Sequence, residues 1–154
     1  MHESYDPPDA ELGRPSRFLG DFYSPGQVGA AAFFGGPPAA THQLAHNYGA
    51  GDRADLVLRC HALGWLAVAS LIPISLLLPE NFPSAPIPIA YSIALREFAK
   101  RSQGGMLGAA AEAGSQRVSN WRVAGLVVLY LVVSVALVFG AILMIPENWL
   151  SVAA

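Results

Sequence analysis

The longest apolar run of the chain lies at positions 123–145, VAGLVVLYLVVSVALVFGAILMI, and carries no charge in 23 residues. As a helix it would be about 35 Å long, enough to cross a hydrocarbon core of about 30 Å. Trp121 and Trp149 bracket the run, as aromatic residues do at membrane interfaces. No face of this helix is polar, so the pattern predicts a transmembrane segment over about residues 121–146.

A second apolar run covers residues 62–78 and follows an amphipathic stretch in which Arg59 can extend its charge to the membrane surface. It predicts a segment over about residues 56–79, kinked at Pro73 because proline removes one backbone hydrogen bond. Both apolar runs end in proline, Glu, Asn and an aromatic residue, which suggests that they meet the same membrane surface.

A third segment, over about residues 84–99, is shorter. Only about thirteen uncharged residues precede Arg96, and three prolines favour an extended entry of about 3.1 Å per residue before a short helix from Ile89. Non-helical backbone at that depth survives only when protein or water shields it. The stretch is either a broken crossing or a short re-entrant segment, and we favour the crossing.

The distribution of charge supports that choice. If the chain returns through the third segment, seven of the nine basic residues fall on one side and the loops of the other side carry Glu80 and Glu147 without Lys or Arg. This asymmetry is the positive-inside pattern, which makes the basic side cytoplasmic. The seven residues are Arg53, Arg59, Arg96, Lys100, Arg101, Arg117 and Arg122.

The remaining apolar stretch, over about residues 24–48, is built from small residues at four-residue spacing, which let helices approach closely inside lipid. Pro37 and Pro38 would break or kink it. It is either a first span, which would put the N-terminal tail outside, or an interfacial hairpin; we favour the span. The residues expected to pack helices together are Gly35, Gly36, Ala39, Ala136 and Gly140.

Several glycine and proline patterns carry a resemblance. The run 23–25 (YSP), the run 32–37 (AFFGGP), Asn47-Tyr48 and an apolar helix ending at 78–80 (LPE) are similar to a group of uncharacterised small bacterial inner-membrane proteins. The similarity covers most of the chain from residue 23. It implies a bacterial membrane protein of four segments and supplies no activity.

Composition agrees with a membrane protein. The chain of 154 residues is 53% hydrophobic and 13% charged, whereas soluble domains carry about 25% charged residues. A net charge of −2 argues against a nucleic-acid partner. Residues 1–22 are acidic and proline-rich, lack the features of a signal peptide and predict a disordered tail before a membrane domain over residues 23–154.

Three histidines are the candidate metal or haem ligands. His42 and His46 share a helix face, and His61 follows Cys60, the single cysteine, at the start of the next segment. Imidazole and thiolate suit zinc, copper or haem iron, but His-x-x-x-His alone is a weak signal. The alternative is interfacial histidines bonded to lipid, water or backbone, and no cofactor is expected.

Four basic residues are candidates for binding anionic lipid headgroups on the cytoplasmic leaflet, at about 1 kcal/mol per residue. The alternative is that they only set the topology. They are Arg96, Lys100, Arg101 and Arg122.

The predicted membrane interior holds no Asp, Glu, Lys or Arg, which disfavours proton-coupled transport. Motifs of serine, carboxylate and phosphate-loop enzymes are missing, so we expect no enzyme. The sequence therefore predicts an all-α, polytopic transmembrane helical bundle of three to four proline-broken segments, multi-pass in the bacterial inner membrane. We expect an accessory or structural subunit that contacts the lipid bilayer and other membrane subunits or itself; a small oligomeric channel or transporter is the alternative.

Overall fold

The computed structural model describes residues 20–77, 79, 81–83 and 85–144, and these fold into four α-helices. The helices are α1 (Pro25–Ala50), α2 (Ala54–Leu77), α3 (Pro86–Glu112) and α4 (Asn120–Leu143). The only strand-like feature within the described ranges is a single bridge between Phe22 and Arg117. The all-helical prediction is confirmed for this part of the chain.

Helix α1 is a hairpin of two half-helices. Its backbone leaves the helical conformation at Gly36, where φ is 77° and ψ is 179°. Tyr23 and Asn47 would lie about 36 Å apart on a straight helix, yet the backbone N–H of Tyr23 donates to the Asn47 side chain at 2.8 Å. The chain therefore runs out over residues 25–35, reverses at Gly36 and returns over residues 37–50.

Local sequence explains both ends of the first half-helix. Ser24 caps its start and exchanges hydrogen bonds with Gln27 in a capping box, which pairs two backbone N–H groups that a helix start leaves free. Gly36 then takes a conformation that is essentially restricted to glycine. Pro37 and Pro38 are the first residues of the second half-helix. Neither has a backbone N–H, so this helix start has two fewer N–H groups to pair.

The hairpin is the centre of the fold. Helices α2, α3 and α4 each pack along α1 and contact one another little in the described residues. Small residues allow this close approach: a Cβ on Gly35 would lie 3.2 Å from the Val127 backbone of α4, and a Cβ on Gly64 of α2 would overlap the Thr41 hydroxyl. The interior consists mainly of α1 side chains.

Two of the surrounding helices are long and apolar enough to cross a membrane, over Ala54–Leu71 in α2 and Asn120–Ala141 in α4. Only 11% and 6% of these stretches are buried inside the protein. A core helix of a soluble protein would be mostly buried. Their large apolar side chains instead form the outer surface, among them Leu63, Leu66, Leu129 and Phe139.

The structure differs from the sequence-based prediction in two ways. The first segment, for which we favoured a span, turns back on itself. Helix α3 begins at Pro86 rather than Ile89 and continues to Glu112, well beyond the predicted end of this segment at about residue 99. Helix α2 contains Pro73 and agrees with a single segment there; the kink expected at Pro73 stays a prediction. The predicted tail up to residue 19, Glu80 and the C-terminal residues 145–154, which include Glu147 and Trp149, lie outside the described residues.

Replacing Gly36 by alanine is expected to destabilise the hairpin by about 1–3 kcal/mol, because a side chain at this φ and ψ is strained. The measurement is thermal unfolding of the purified protein in detergent, followed by circular dichroism. Gly108→Ala in α3 is the control: a Cβ there meets no atom within 4 Å, and alanine favours a helix over glycine by up to about 1 kcal/mol. Equal melting temperatures for the two variants would contradict the proposed turn.

Candidate functional site

A buried amide cluster holds the open end of the hairpin together. The Asn47 amide accepts from the Tyr23 N–H at 2.8 Å and donates to the Tyr23 carbonyl at 2.8 Å and to the Gln103 side-chain oxygen at 2.9 Å. Gln103, in α3, donates to the Leu44 carbonyl at 3.0 Å. Asn47 and Gln103 are both completely buried. Together these bonds join the start of α1, its end and the middle of α3.

Gln27 forms a second connection, to the segment between α3 and α4. Its side-chain N–H groups donate to the Val118 carbonyl at 2.7 Å and to the Asn120 side chain at 3.0 Å. Alongside it, Phe22 exchanges backbone hydrogen bonds with Gln116 and Val118. The open end of the hairpin is thus fixed to both α3 and the start of α4.

Tyr23 also lies at this end, where its ring contacts the ring of His46 edge-on with centroids 5.1 Å apart. Burial raises the pKa of the Tyr23 phenol, and the positive charge of Arg122 opposes that shift. Tyr23 therefore stays protonated at neutral pH.

The closed end of the hairpin borders a cavity of about 390 Å³ between α1, α2 and α4, with Gly36, Pro37, Leu71 and Ser134 in its wall. The Ser134 hydroxyl is buried and makes no hydrogen bond within the described residues. Deeper in the hairpin, the fully buried amide of Gln43 likewise pairs with nothing that the structure describes. The cavity wall is otherwise mainly apolar.

The three predicted histidine ligands lie around one cavity of about 450 Å³. His42 pairs through Nδ1 with the Tyr130 hydroxyl at 3.0 Å, and its ring lies 5.5 Å from that of His61. Nowhere in the described ranges do three His, Cys, Asp or Glu residues come close enough to share a metal ion. The candidate ligands therefore form no three-residue metal cluster within those ranges: the His42 ring lies against the rings of Tyr130 and His61, and the His46 ring lies against Tyr23.

The four predicted lipid-binding residues are dispersed. Arg96, Lys100 and Arg101 are exposed on α3, and Arg122 is exposed near the start of α4. The stem of Arg96 lies against Gly29, where an added Cβ would be 3.0 Å from the arginine Cβ. Binding of lipid headgroups by these residues stays a prediction.

The predicted packing residues fall into two groups. Gly35, Gly36 and Ala39 lie at or beside the turn of α1, and Ala39 is fully buried. Ala136 and Gly140 are exposed on α4, and a Cβ on Gly140 would meet no described atom within 4 Å. No neighbouring helix of the described chain covers these two residues.

The sequence reasoning missed the amide cluster. Asn47 and Gln27 were polar residues inside a predicted apolar span, which was the available signal, since buried amides in proteins are nearly always paired. Gln103 gave no signal, because it lies beyond the predicted third segment of about residues 84–99. Its partner lies 56 positions earlier in the chain.

Comparisons with known proteins returned no relatives: no family model, no curated protein and no solved structure matches this chain.

The amide cluster makes a direct prediction. Asn47→Ala and Gln103→Ala should each destabilise the protein by about 1–3 kcal/mol, because each leaves buried polar groups without a partner. Since the two side chains share a hydrogen bond, the double variant should lose less than the sum of the single losses. Thermal unfolding in detergent measures all three variants. Gln116→Ala is the control, as that exposed side chain makes no hydrogen bond that the structure records. Strict additivity would show that the two amides do not interact.

Proposed function

We propose that the protein is a multi-pass integral membrane protein in which α2, α3 and α4 cross the bilayer and the α1 hairpin enters and leaves on the basic side. The exposed apolar surfaces of α2 and α4 support this proposal, because water would not stabilise them. Excess Lys and Arg on one side make that side cytoplasmic. The resemblance drawn from the sequence favours the bacterial inner membrane.

The dimensions of the hairpin agree with a re-entrant segment. Its first half has 11 residues, or about 16 Å of helix, which is about half of a 30 Å hydrocarbon core. The turn at Gly36 would therefore lie near the middle of the bilayer. Pro37 and Pro38 lower the cost of a helix start at that depth, since they bring no unpaired N–H groups into lipid.

The role that this arrangement supports best is an accessory or structural membrane subunit, rather than an enzyme. The observation that carries it is an interior filled by the hairpin itself: small apolar residues along its length and amide groups that bond to protein at its open end. The outer faces of α2 and α4, with Ala136 and Gly140 among them, stay available for another membrane subunit or a second copy.

Transport by a small oligomer is the second candidate. It draws on the broken helix, since discontinuous helices form the binding sites of many transporters, and on the unpaired Ser134 hydroxyl at the closed end. Against it, the prolines remove the N–H donors with which a half-helix start binds anionic substrates. Ion conductance in planar bilayers would favour transport over the subunit role.

Labelling of single cysteines tests the topology. In a Cys60→Ala background, Asp21→Cys, Asp52→Cys and Ser115→Cys should all react with a membrane-impermeant maleimide from the cytoplasmic side. Asn81→Cys, between α2 and α3, should react from the opposite side. Right-side-out and inverted membrane vesicles provide the two exposures.

The pair at positions 21 and 52 decides between the two forms of α1, because these residues flank the hairpin. Labelling from opposite sides would mean that α1 crosses the membrane as a single span. The Cys60→Ala parent is the control for background reactivity, as Cys60 is the only native thiol.

The subunit role predicts a defined heteromeric mass when the protein is extracted from its own membranes in mild detergent and weighed by native mass spectrometry. Ala136→Leu and Gly140→Leu should reduce that complex if the exposed α4 face is the contact. Ala109→Leu, on the exposed surface of α3, is the matched control. A bare monomer in the native extract would argue against a stable subunit.

A further inference from the structure

A long groove of about 720 Å³ runs between the first half of the hairpin and α4. Its walls are apolar along most of their length, with Ala30 and Phe34 on one side and Val127 and Leu131 on the other. At the end where α4 starts, the lining becomes polar: Ser24, Gln27, Arg117 and Asn120. The groove is therefore amphipathic along its axis.

The length of the groove corresponds to one leaflet. On α4 its lining runs from Asn120 to Leu131, eleven residues on, or about 16 Å of helix. Half of a hydrocarbon core of about 30 Å is about 15 Å. A groove that starts at the basic surface and ends beside Phe34, two residues before the turn, has the depth of a single lipid chain.

The charge at the polar end is positive. Arg117 is exposed and no carboxylate belongs to the lining. The one ion pair among the described residues joins Arg53 to Asp55, so Arg117 has no acidic partner within that part of the chain. The Ser24 hydroxyl and the Asn120 side-chain N–H groups in the lining can donate to a phosphate, whereas both side-chain N–H groups of Gln27 already bond to protein.

We propose that this groove binds one anionic phospholipid of the cytoplasmic leaflet, with an acyl chain between α1 and α4 and the headgroup phosphate at Arg117. The inference rests on the proposed membrane insertion and adds a ligand class to it. An amphipathic ligand with an anionic head fits the three observations together: apolar walls, one-leaflet depth and a surface cation with no acidic partner among the described residues. Arg117 is not one of the four residues that the sequence suggested for this task.

The test is a lipid titration of the full-length protein in detergent, read by native mass spectrometry. Phosphatidylglycerol and phosphatidylethanolamine with identical acyl chains are compared. The wild-type protein should retain phosphatidylglycerol preferentially. Arg117→Gln should weaken its binding about fivefold, the change expected for loss of one basic residue at a lipid surface. It should weaken phosphatidylethanolamine less, because the ammonium group of that lipid offsets its phosphate charge.

Filling the groove should remove binding of both lipids. Ala30→Leu places a larger side chain in the lining at an exposed position of α1, where folding is not expected to suffer. Two matched controls lie outside the groove: Ala109→Leu on the exposed surface of α3 and Arg59→Gln on α2. Both controls should bind lipid like the wild type.

Three results would overturn the proposal. The first is no preference of the wild type for phosphatidylglycerol. The second is unchanged lipid binding in Arg117→Gln and Ala30→Leu. The third is a lipid-free dimer, abolished by Ala30→Leu, which would assign the groove to a second copy. If cysteine labelling supports the proposed topology while the titration fails, only the lipid site is lost; if labelling fails, the membrane proposal itself is lost.

Discussion

The pairing of backbone polar groups away from water is the constraint on which the rest of this structure depends. A chain that reverses inside a helical bundle leaves N–H and C=O groups without helical partners at its turn and at its open end. The two prolines at the turn contribute no N–H groups, and the amides of Asn47 and Gln103 bond to carbonyl and N–H groups at the open end. The prolines at the turn and the amides at the open end together allow the hairpin to lie at the centre of the fold.

Central placement of the hairpin accounts for the distribution of residue types. Small residues dominate α1 because three helices must approach it closely, as at Gly35 and Gly64. Large apolar residues lie instead on the outer faces of α2 and α4. This is the reverse of a soluble domain, in which large apolar side chains fill the core. Because the side chains of the hairpin are small, they do not fill the space against α4, and the groove beside Ala30 remains there.

The sequence predicted the helices better than their arrangement. Uninterrupted apolar runs identified α2 and α4, because their pattern is local. The sequence predicted a break or kink at Pro37 and Pro38, but a kink and a full chain reversal have the same local sequence pattern. The hydrogen bond that distinguishes the two joins Tyr23 to Asn47, which are 24 positions apart. Gln103 was unpredictable for the same reason. The histidine spacing was a weak signal, because shared spacing on a helix does not fix where each ring points, and the rings of His42 and His46 contact tyrosine side chains.

Helix α1 contacts each of the other three helices, which hardly touch one another in the described chain. The order of synthesis therefore runs opposite to the order of burial: the hairpin leaves the ribosome before the three helices that enclose it. Asn47 gains its Gln103 partner only once α3 has been made, and Gln27 gains its partners only at Val118 and Asn120. A chain that stops before α3 would therefore leave the open end of the hairpin without the bonds that hold it.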